Sequence, residues 1–463
     1  MDKRLTYSVF ESVVDSYPEN ISVDAPEGVL TYSELDRAAN AIANCLIKRD
    51  FKMGAIAAVF IPNSAAYISS VLGVQKAGGV FMPTDPEAPF ERQSRMLAKA
   101  EPDIVIVNEE NLPLYRRFCD HSGFKPRLLL VTEPKAPVRI YLSNMDEHIE
   151  IQPEYTRPGI LPDPDDDLYV IFTSGTTGNP KAVLGRQKGL AHFIDWERSE
   201  FRLDGSVRVS NLAPTTFDVS LRDIFVPLTA GGTVFVPPQN VVSTPGVLLD
   251  WLSGRKINLI HIVPSVFRLL LDELEKRPDH LKLITHMKYI MLAGEVVYGR
   301  DVIRFREITG NSVHLVNLYG PSETTLAKLF CRLDFLPENP GRIMPLGNPI
   351  SNTAVIILKN NRLAEIGEIG EICIKTPFRS KGYFREPELT AKAFVANPLT
   401  GDQEDIIYRT GDMGRYMSDR SVEYVGRVDR QVKVNGVRVE LSEVDEAVHS
   451  YPDINQALVM PHI

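Results

Sequence analysis

The sequence predicts an α/β protein with a large N-terminal core and the start of a small C-terminal α+β domain. Two long series of apolar runs alternate with amphipathic helical segments, which is typical of layered α/β subdomains. From about residue 343 the pattern changes to alternating apolar residues with glycine turns, which favours a small β subdomain. The 463 residues also exceed what one hydrophobic core usually supports. We therefore expect a core over 1–427, made of two layered α/β subdomains and a β subdomain over about 343–425, and a second domain from 428.

The first α/β series begins with a helix whose start is marked by a capping box, Thr-Tyr-Ser-Glu at residues 31–34. Apolar residues then recur at helical spacing as far as Leu46. A strand over 56–61, a helix over 65–77 and a strand over 80–83 follow. Two continuous apolar runs, 104–107 and 128–131, are of the kind that is buried on both faces of a parallel sheet.

The second series, after residue 181, has the same alternation of strands and helices. Its predicted elements are helix 187–200, strand 207–212, helix 219–229, strand 233–236, helix 244–254, strand 258–262, helix 264–275, strand 288–293 and strand 313–316. A short amphipathic helix over 442–450 opens the last domain, and the sequence ends too soon for that domain to bury a core of its own.

Composition excludes several classes of function. The net charge is −9, whereas a nucleic-acid phosphate backbone calls for a basic face, so nucleic acid is not expected as a main partner. The four cysteines are far apart, which predicts buried free thiols in a reducing compartment. The histidines form no cluster typical of a transition-metal site. No signal peptide opens the sequence, and its most apolar region, 55–74, is interrupted by Pro62 and Asn63. We expect a cytoplasmic protein that does not span a membrane.

A loop rich in glycine and hydroxyl groups follows the apolar run 169–172 and reads Thr-Ser-Gly-Thr-Thr-Gly-Asn-Pro-Lys. Backbone N–H groups of such a loop can surround phosphate oxygens, because glycine permits close approach and positive φ. The loop has neither the P-loop pattern nor the dinucleotide-binding pattern. We interpret it as a phosphate-binding loop, with an ordinary turn as the alternative. The residues predicted to bind phosphate are Thr173, Ser174, Gly175, Thr176, Thr177, Gly178 and Lys181.

Three further segments follow in order. They are Asn-Leu-Tyr-Gly-Pro-Ser-Glu-Thr-Thr at 317–325, Tyr-Arg-Thr-Gly-Asp at 408–412, and Gly-Arg-Val-Asp-Arg-Gln-Val-Lys at 426–433. Alone, each is a turn or a solvated surface segment. Together with the loop, they closely resemble the adenylate-forming superfamily: acyl-CoA synthetases, firefly-type luciferases and adenylation domains of nonribosomal peptide synthetases. Segments 30–35, 76–86 and 382–390 fit as well. Phe-Asp-Val-Ser at 217–220 favours the peptide synthetase branch.

The resemblance implies a role for each of these segments. Tyr319 would lie near adenine, Thr324 near the α-phosphate, and Glu323 on Mg²⁺, a hard cation that prefers carboxylate and phosphate oxygens. Asp412 would accept the ribose hydroxyls, and Asp429 would be the pivot of a hinge. The residues implied to bind ATP in these segments are Asn317, Tyr319, Gly320, Glu323, Thr324, Asp412 and Arg427. Those implied to act in catalysis are Thr173, Lys181, Glu323 and Thr324.

The function implied by the resemblance is activation of an amino acid with ATP and Mg²⁺, followed by transfer to the phosphopantetheine thiol of a carrier protein. A small MbtH-like protein is a candidate helper. The family's catalytic lysine lies beyond residue 463, so we expect an excised core or a chain interrupted by an inserted domain, with impaired catalysis. Two alternatives remain: an acyl-CoA synthetase-like ligase, and a nucleotide- or substrate-binding core without full catalysis.

The resemblance also implies an amino-acid pocket. Its residues would be Phe217, Asp218, Val219, Arg222, Ser265, Met291, Ala293, Gly294, Leu318, Leu326 and Ala327. Asp218 would bind the α-ammonium group. Arg222 stands out in a mostly apolar set, because a buried guanidinium is costly unless it is paired with a carboxylate. This favours a substrate with a second carboxylate. The alternative is that Arg222 turns outward to pair with Asp223 or Asp195, which leaves the pocket for a neutral side chain.

Overall fold

The structure of the chain, a computed structural model, describes residues 5–133, 138–141, 148–173, 180–277, 280–428, 431–434, 437–441, 444, 448 and 459. It divides into two compact units. The first unit combines Met1–Phe172 with Ala182–Gln239, and the second combines Thr173–Lys181 with Asn240–Ile463. The proposed domain boundary at 427/428 stays a prediction, because most residues beyond it, including most of the predicted helix 442–450, lie outside the described ranges.

Helices and strands alternate along most of the chain. From the first helix to residue 151 they are α1 (Thr6–Ser16), β1 (Ile21–Ala25), β2 (Gly28–Thr31), α2 (Tyr32–Lys48), β3 (Ile56–Phe60), α3 (Ala65–Lys76), β4 (Val80–Pro83), α4 (Phe90–Ala100), β5 (Ile104–Val107), α5 (Leu112–Ser122), β6 (Leu128–Val131), β7 (Val138–Tyr141) and β8 (His148–Ile151). Up to residue 235 they are β9 (Asp167–Thr173), β10 (Lys181–Arg186), α6 (Gln187–Glu200), β11 (Arg208–Ser210), α7 (Val219–Ala230) and β12 (Thr233–Phe235).

The remaining elements belong to the second unit, apart from the first residue of α8. Up to residue 332 they are α8 (Gln239–Val242), α9 (Pro245–Gly254), β13 (Leu259–Ile262), α10 (Pro264–Lys276), α11 (His280–Leu283), β14 (Tyr289–Ala293), α12 (Gly299–Thr309), β15 (His314–Tyr319) and β16 (Leu329–Arg332). The last are β17 (Asn348–Pro349), β18 (Ala354–Lys359), β19 (Arg362–Leu363), β20 (Gly370–Lys375), α13 (Pro387–Ala393), β21 (Phe394–Ala396), β22 (Ile406–Tyr416), β23 (Val422–Arg427), β24 (Gln431–Val434) and β25 (Val437–Glu440).

The first unit contains the layered α/β architecture that the alternation predicts. One sheet has the strand order β10-β9-β4-β3-β5-β6-β7-β8, and its neighbours from β9 to β6 are parallel. Strands β5 and β6 are buried along their whole length, as their continuous apolar runs predict. The capping box at the start of α2 is present: Thr31 Oγ1 accepts the Glu34 N–H, and the Thr31 N–H donates to the Glu34 carboxylate. These sequence predictions are confirmed.

The second unit combines a mostly parallel α/β part with a small antiparallel sheet that begins at β18, and the bounds 343–425 of the β subdomain stay a prediction. Strands β13, β14 and β15 are parallel, and β16 is antiparallel to β15. The antiparallel sheet has the order β19-β18-β20-β22-β21, with β23 beside β22. A cluster of buried residues holds this region together: Leu329, Leu346, Ile357, Ala364, Ile372 and Val422. Tyr319, at the end of β15, packs against that cluster, which fixes one residue of the predicted nucleotide site.

All four cysteines are free thiols, as predicted, but only three of them are buried. Cys331 lies on β16 and is half-buried, as are its strand neighbours Phe330 and Arg332. Among the residues that the structure describes, no helix is both long and apolar enough to cross a membrane.

Candidate nucleotide and amino-acid site

Two described residues flank the predicted phosphate loop. Thr173 ends β9, and its Oγ1 is buried without a hydrogen-bond partner among the described residues. Lys181 begins β10, and its ammonium lies 5.9 Å from the centroid of the Tyr383 ring. The intervening segment 174–179 lies outside the described residues, so the phosphate ligands Ser174, Gly175, Thr176, Thr177 and Gly178 remain predictions. The loop is therefore flanked by a hydroxyl donor and a cation, both suited to phosphate oxygens.

The strand that leads into the second segment is longer than predicted. The sequence pattern placed its end at 316, but β15 continues to Tyr319, so three predicted site residues lie on the strand itself. The physical reason is the antiparallel partner β16, which pairs Leu329 with Tyr319 and so extends the ladder. Asn317 donates from its side-chain amide to the Pro345 carbonyl at 2.8 Å. The extended strand thereby fixes the direction of the Tyr319 side chain.

A tight turn follows Tyr319 and explains the glycine of the motif. A Cβ atom on Gly320 would lie 2.3 Å from the Leu326 carbonyl oxygen, so only glycine fits there. Across the turn, Thr325 and Leu326 have φ values of +63° and +60°, a left-handed conformation that non-glycine residues rarely adopt. Thr324 is fully buried, and its hydroxyl donates to the Pro321 carbonyl at 3.0 Å. Backbone strain is therefore concentrated where the resemblance places the α-phosphate.

Glu323, the predicted metal ligand, is a fully buried carboxylate in this turn. Its Oε1 accepts a hydrogen bond of 2.8 Å from the hydroxyl of Tyr383. The backbone joins the same two segments, because the Ser380 N–H donates to the Glu323 carbonyl at 3.0 Å. The sequence analysis assigned no role to Tyr383. The available signal was a polar aromatic residue directly after the glycine of segment 382–390.

Asp412 is hydrogen-bonded to two other residues that are predicted to bind the nucleotide. The Tyr319 hydroxyl donates to Oδ2 of Asp412, and the Arg427 guanidinium donates to Oδ1 at 2.6 Å. The Asp412 side chain is largely buried, and each of its oxygens has two lone pairs, so both can still accept ribose hydroxyls. Burial and the neighbouring carboxylate raise the pKa of the Tyr319 phenol well above its ordinary value of 10. The phenol thus remains a hydrogen-bond donor at neutral pH.

The first unit carries four of the predicted pocket residues at the start of α7. Asp218 is the N-cap residue of this helix and is 6% exposed; Phe217 and Val219 beside it are partly buried. Arg222, one turn into the helix, is only 3% exposed. Its Nε has no hydrogen-bond partner among the residues that the structure describes. Asp223, one of the two partners in the outward-turned alternative, is buried as well.

The second unit carries the other predicted pocket residues. Met291 and Ala293 lie on β14, Leu318 lies on β15, and the register pairs Ala293 directly with Leu318. The structure therefore brings these two together. Gly294 directly follows β14. Leu326 and Ala327 are buried after the turn.

Ser265, the second residue of α10, has an acidic partner that the sequence analysis missed. Its N–H and its hydroxyl both donate to the Glu295 carboxylate, at 2.8 and 3.0 Å. The hydroxyl proton of Ser265 is thus engaged within the protein, so a substrate can meet this oxygen only as an acceptor. The Gly-Glu pair after an apolar strand was the available signal.

A family model described as AMP-binding enzyme matches residues 10–384 of this chain. Among curated relatives, the dimodular nonribosomal peptide synthase of Bacillus subtilis (strain 168) is 30% identical over 98% of the chain. L-2-aminoadipate reductase of Schizosaccharomyces pombe is 28% identical over 95% of it. The chain spans 18% of the first protein and 33% of the second.

Solved structures show the same similarity. A crystal structure of the nonribosomal peptide synthetase FmoA3 in its α-methyl-L-serine-AMP-bound form has a TM-score of 0.79 and 28% identity to this chain. The match covers 92% of this chain and 45% of that one. The AMPPNP-bound form of the same protein has a TM-score of 0.80. The predicted α/β fold class is confirmed by these matches.

Proposed function

Since this chain belongs to the family of AMP-binding enzymes, we propose that it activates an amino acid with ATP to give aminoacyl-AMP and pyrophosphate. A carboxylate oxygen of the amino acid forms a bond to the α-phosphorus. The bond from this phosphorus to the oxygen that bridges to the β-phosphate breaks, and its electron pair leaves with pyrophosphate. The nucleophile is ionised at neutral pH, so no side-chain base is needed. The protein's contribution is positioning and stabilisation of charge.

The observation that carries this proposal is the hydrogen-bonded set of Tyr319, Asp412 and Arg427. A buried carboxylate held by a phenol and a guanidinium suits the two vicinal hydroxyls of a ribose, since it has fixed acceptors and free lone pairs. Tyr319 offers a ring for the adenine. Tyr319 and Asp412 come from two segments 93 positions apart, so that only the fold brings them together.

The donor set in the same unit suits Mg²⁺ that arrives with ATP. Within the described ranges, no group of three or more His, Cys, Asp or Glu residues could hold a metal ion. Glu323 offers one buried carboxylate, and Mg²⁺ is commonly bound by one or two carboxylates together with substrate phosphates. When bound, the cation would neutralise charge on the phosphate oxygens. Lys181 and Thr173 would contribute donors to the same phosphate groups, whereas the Thr324 hydroxyl proton is already donated to the Pro321 carbonyl.

Arg222 supports an amino acid with a second carboxylate as the substrate. A guanidinium that is 3% exposed and lacks a partner for its Nε among the described residues is costly, and a carboxylate ligand would satisfy it. Asp218 would pair with the α-ammonium group. The name of the Schizosaccharomyces pombe relative, L-2-aminoadipate reductase, supports an amino acid with a second carboxylate as the substrate.

The proposal includes partners beyond the small molecules. The aminoacyl group would pass to the phosphopantetheine thiol of a carrier domain, as expected for a peptide synthetase module. A small MbtH-like protein would assist in the cytoplasm.

An exchange assay tests this function. Radioactive pyrophosphate should be incorporated into ATP when this chain is supplied with its amino acid, and we expect the strongest signal with aspartate, glutamate or 2-aminoadipate. Each amino acid is compared with the same acid lacking the α-amino group, which should give background exchange because Asp218 has no ammonium to bind. Equal exchange with the deaminated acids would instead favour the acyl-CoA synthetase-like alternative. Nucleotide binding without any exchange would favour a binding core.

A further inference from the structure

Tyr383 contacts two residues that the nucleotide site requires, although the sequence suggested no role for it. Its hydroxyl donates to Oε1 of Glu323 at 2.8 Å, and the Lys181 ammonium lies 5.9 Å from its ring centroid. We propose that Tyr383 is a positioning residue, which holds the Glu323 carboxylate for Mg²⁺ and the Lys181 ammonium for the outer phosphates of ATP. This inference rests on the proposed function and adds a positioning residue to its metal- and phosphate-binding end.

The hydrogen bond from Tyr383 to the Glu323 carboxylate lies in a part of the protein that bulk water hardly reaches. Glu323 is 0% exposed and Tyr383 is 7% exposed, so bulk water contributes little to this carboxylate. A buried carboxylate is stable only when it is hydrogen-bonded or bound to a cation. Hydrogen bonds to charged groups are also stronger than neutral ones and restrict geometry more tightly. The phenol therefore restrains the direction in which the Glu323 carboxylate faces.

The backbone around Tyr383 is fixed independently of any ligand. Gly382 has φ of +107°, and a Cβ atom there would lie 2.3 Å from Cγ2 of Thr390, so the turn accepts only glycine. The Tyr383 N–H donates to Oγ1 of Thr390 at 2.9 Å. The Ser380 N–H donates to the Glu323 carbonyl. The turn is thus tied to Glu323 through its backbone as well as through the phenol, which is the support that a precisely placed ligand needs.

The ring and the hydroxyl of Tyr383 act on different partners. The Lys181 ammonium lies near the outer limit of about 6 Å for attraction to an aromatic face. Phe394 packs edge-on against the same ring at 6.4 Å between centroids. Phenylalanine at position 383 would keep both ring contacts and remove the bond to Glu323. Leucine would remove all of them, so the two contributions can be separated by mutation.

The test is calorimetric titration with two ligands. A non-hydrolysable ATP analogue is titrated once with Mg²⁺ and once with a chelator, and AMP is titrated for comparison. Tyr383→Phe should weaken binding of the analogue about 10-fold with Mg²⁺ and less than about 2-fold without it, because the hydroxyl acts through Glu323. AMP affinity should stay unchanged. Tyr383→Leu should also weaken the analogue in the chelator, because Lys181 loses its ring. Tyr416→Phe is the matched control: its hydroxyl, in the same unit, donates to the Val355 carbonyl and accepts the Ile357 N–H.

Several results would overturn the inference. If Tyr383→Phe keeps the full gain in affinity for the ATP analogue that Mg²⁺ gives the unmodified chain, the hydroxyl does not position Glu323 for the metal. Equal loss with and without Mg²⁺, and for AMP as well, would show a merely structural role. If the unmodified chain binds the analogue with no gain in affinity from Mg²⁺, the proposed metal site fails and this inference fails with it. A gain that the unmodified chain and Tyr416→Phe show and that Tyr383→Phe lacks supports both. If Tyr383→Leu does not fold, Tyr383→Phe alone decides.

Discussion

Replacing Asp412 with alanine should weaken nucleotide binding strongly, because it removes the proposed acceptor of both ribose hydroxyls. The structure holds this carboxylate in place with Tyr319 on one oxygen and Arg427 on the other, the latter at 2.6 Å. A hydrogen bond to a charged group contributes about 1.5–3 kcal/mol. Two such bonds at the lower value amount to about 3 kcal/mol, which corresponds to about 150-fold in the dissociation constant of ATP and of AMP.

The same substitution should also lower the free energy of unfolding. The side chains of Asp412 and Arg427 are only 11% and 12% exposed, so the variant leaves a nearly buried guanidinium without its carboxylate. Breaking such a pair costs about 3–5 kcal/mol. Affinity must therefore be measured at a temperature where denaturation curves show the variant to be folded. Arg427→Met breaks the same pair and keeps the Asp412 carboxylate. Because Arg427 is itself a predicted nucleotide ligand, its loss of affinity is compared with the loss in Asp412→Ala, which should be larger.

Isothermal titration with ATP and with AMP is the assay. The control is Asp405→Ala, which removes a carboxylate in the same unit that is bound to Lys375 at 2.7 Å and to Asn397 at 3.0 Å. This control should lose stability and keep nucleotide affinity. Unchanged affinity of Asp412→Ala for both nucleotides would refute the assignment of Asp412 to the ribose.

Three further predictions concern the turn, the substrate and pH. Gly320→Ala should abolish nucleotide binding in calorimetry, because its Cβ atom would lie 2.3 Å from a backbone carbonyl; normal binding would contradict this. Arg222→Ala should abolish exchange with dicarboxylic amino acids and spare ATP binding. The control Arg127→Ala, which removes an arginine paired with Asp103, should keep both exchange and ATP binding. A preference of the unmodified chain for leucine or phenylalanine would refute the acidic substrate. Burial raises the pKa of the Cys373 thiol from 9.0 to about 12. Its contribution to the free energy of unfolding is therefore complete below pH 9 and is lost between pH 9 and 12, at up to about 1.4 kcal/mol per pH unit. The free energy of unfolding of Cys373→Ala should fall less steeply between pH 9 and 12 than that of the unmodified chain. An equal slope in the two proteins would contradict the raised pKa of Cys373.

Local patterns were sufficient to predict much of the fold. The capping box at Thr31 and the apolar runs of β5 and β6 depend on neighbours in sequence, and the structure contains them as predicted. The end of β15 depends instead on its pairing with β16, a non-local contact that a local pattern does not contain. Helices such as α4 and α12 were not predicted.

In the candidate site, too, local motifs could be predicted from the sequence, whereas contacts between distant segments could not. Motif order predicted Tyr319, Asp412 and Arg427 as nucleotide-binding residues, and the fold places Tyr319 and Arg427 in hydrogen-bonding distance of Asp412. Tyr383 was missed because its partner Glu323 is 60 residues away. The orientation of Arg222 was left open for a similar reason, since burial of a helical arginine depends on what packs around the helix and not on its own segment.

The central claim is that an amino-acid carboxylate attacks the α-phosphorus of ATP, and isotope transfer tests it most directly. The chain is incubated with ATP, Mg²⁺, hydroxylamine and its amino acid carrying ¹⁸O in the carboxylate that reacts. Hydroxylamine attacks the acyl carbon of aminoacyl-AMP, so the AMP that leaves keeps one carboxylate oxygen. Mass spectrometry should find one ¹⁸O atom in AMP and none in pyrophosphate. Label in inorganic phosphate with formation of ADP, or hydroxamate formed alongside unlabelled AMP, would contradict the claim.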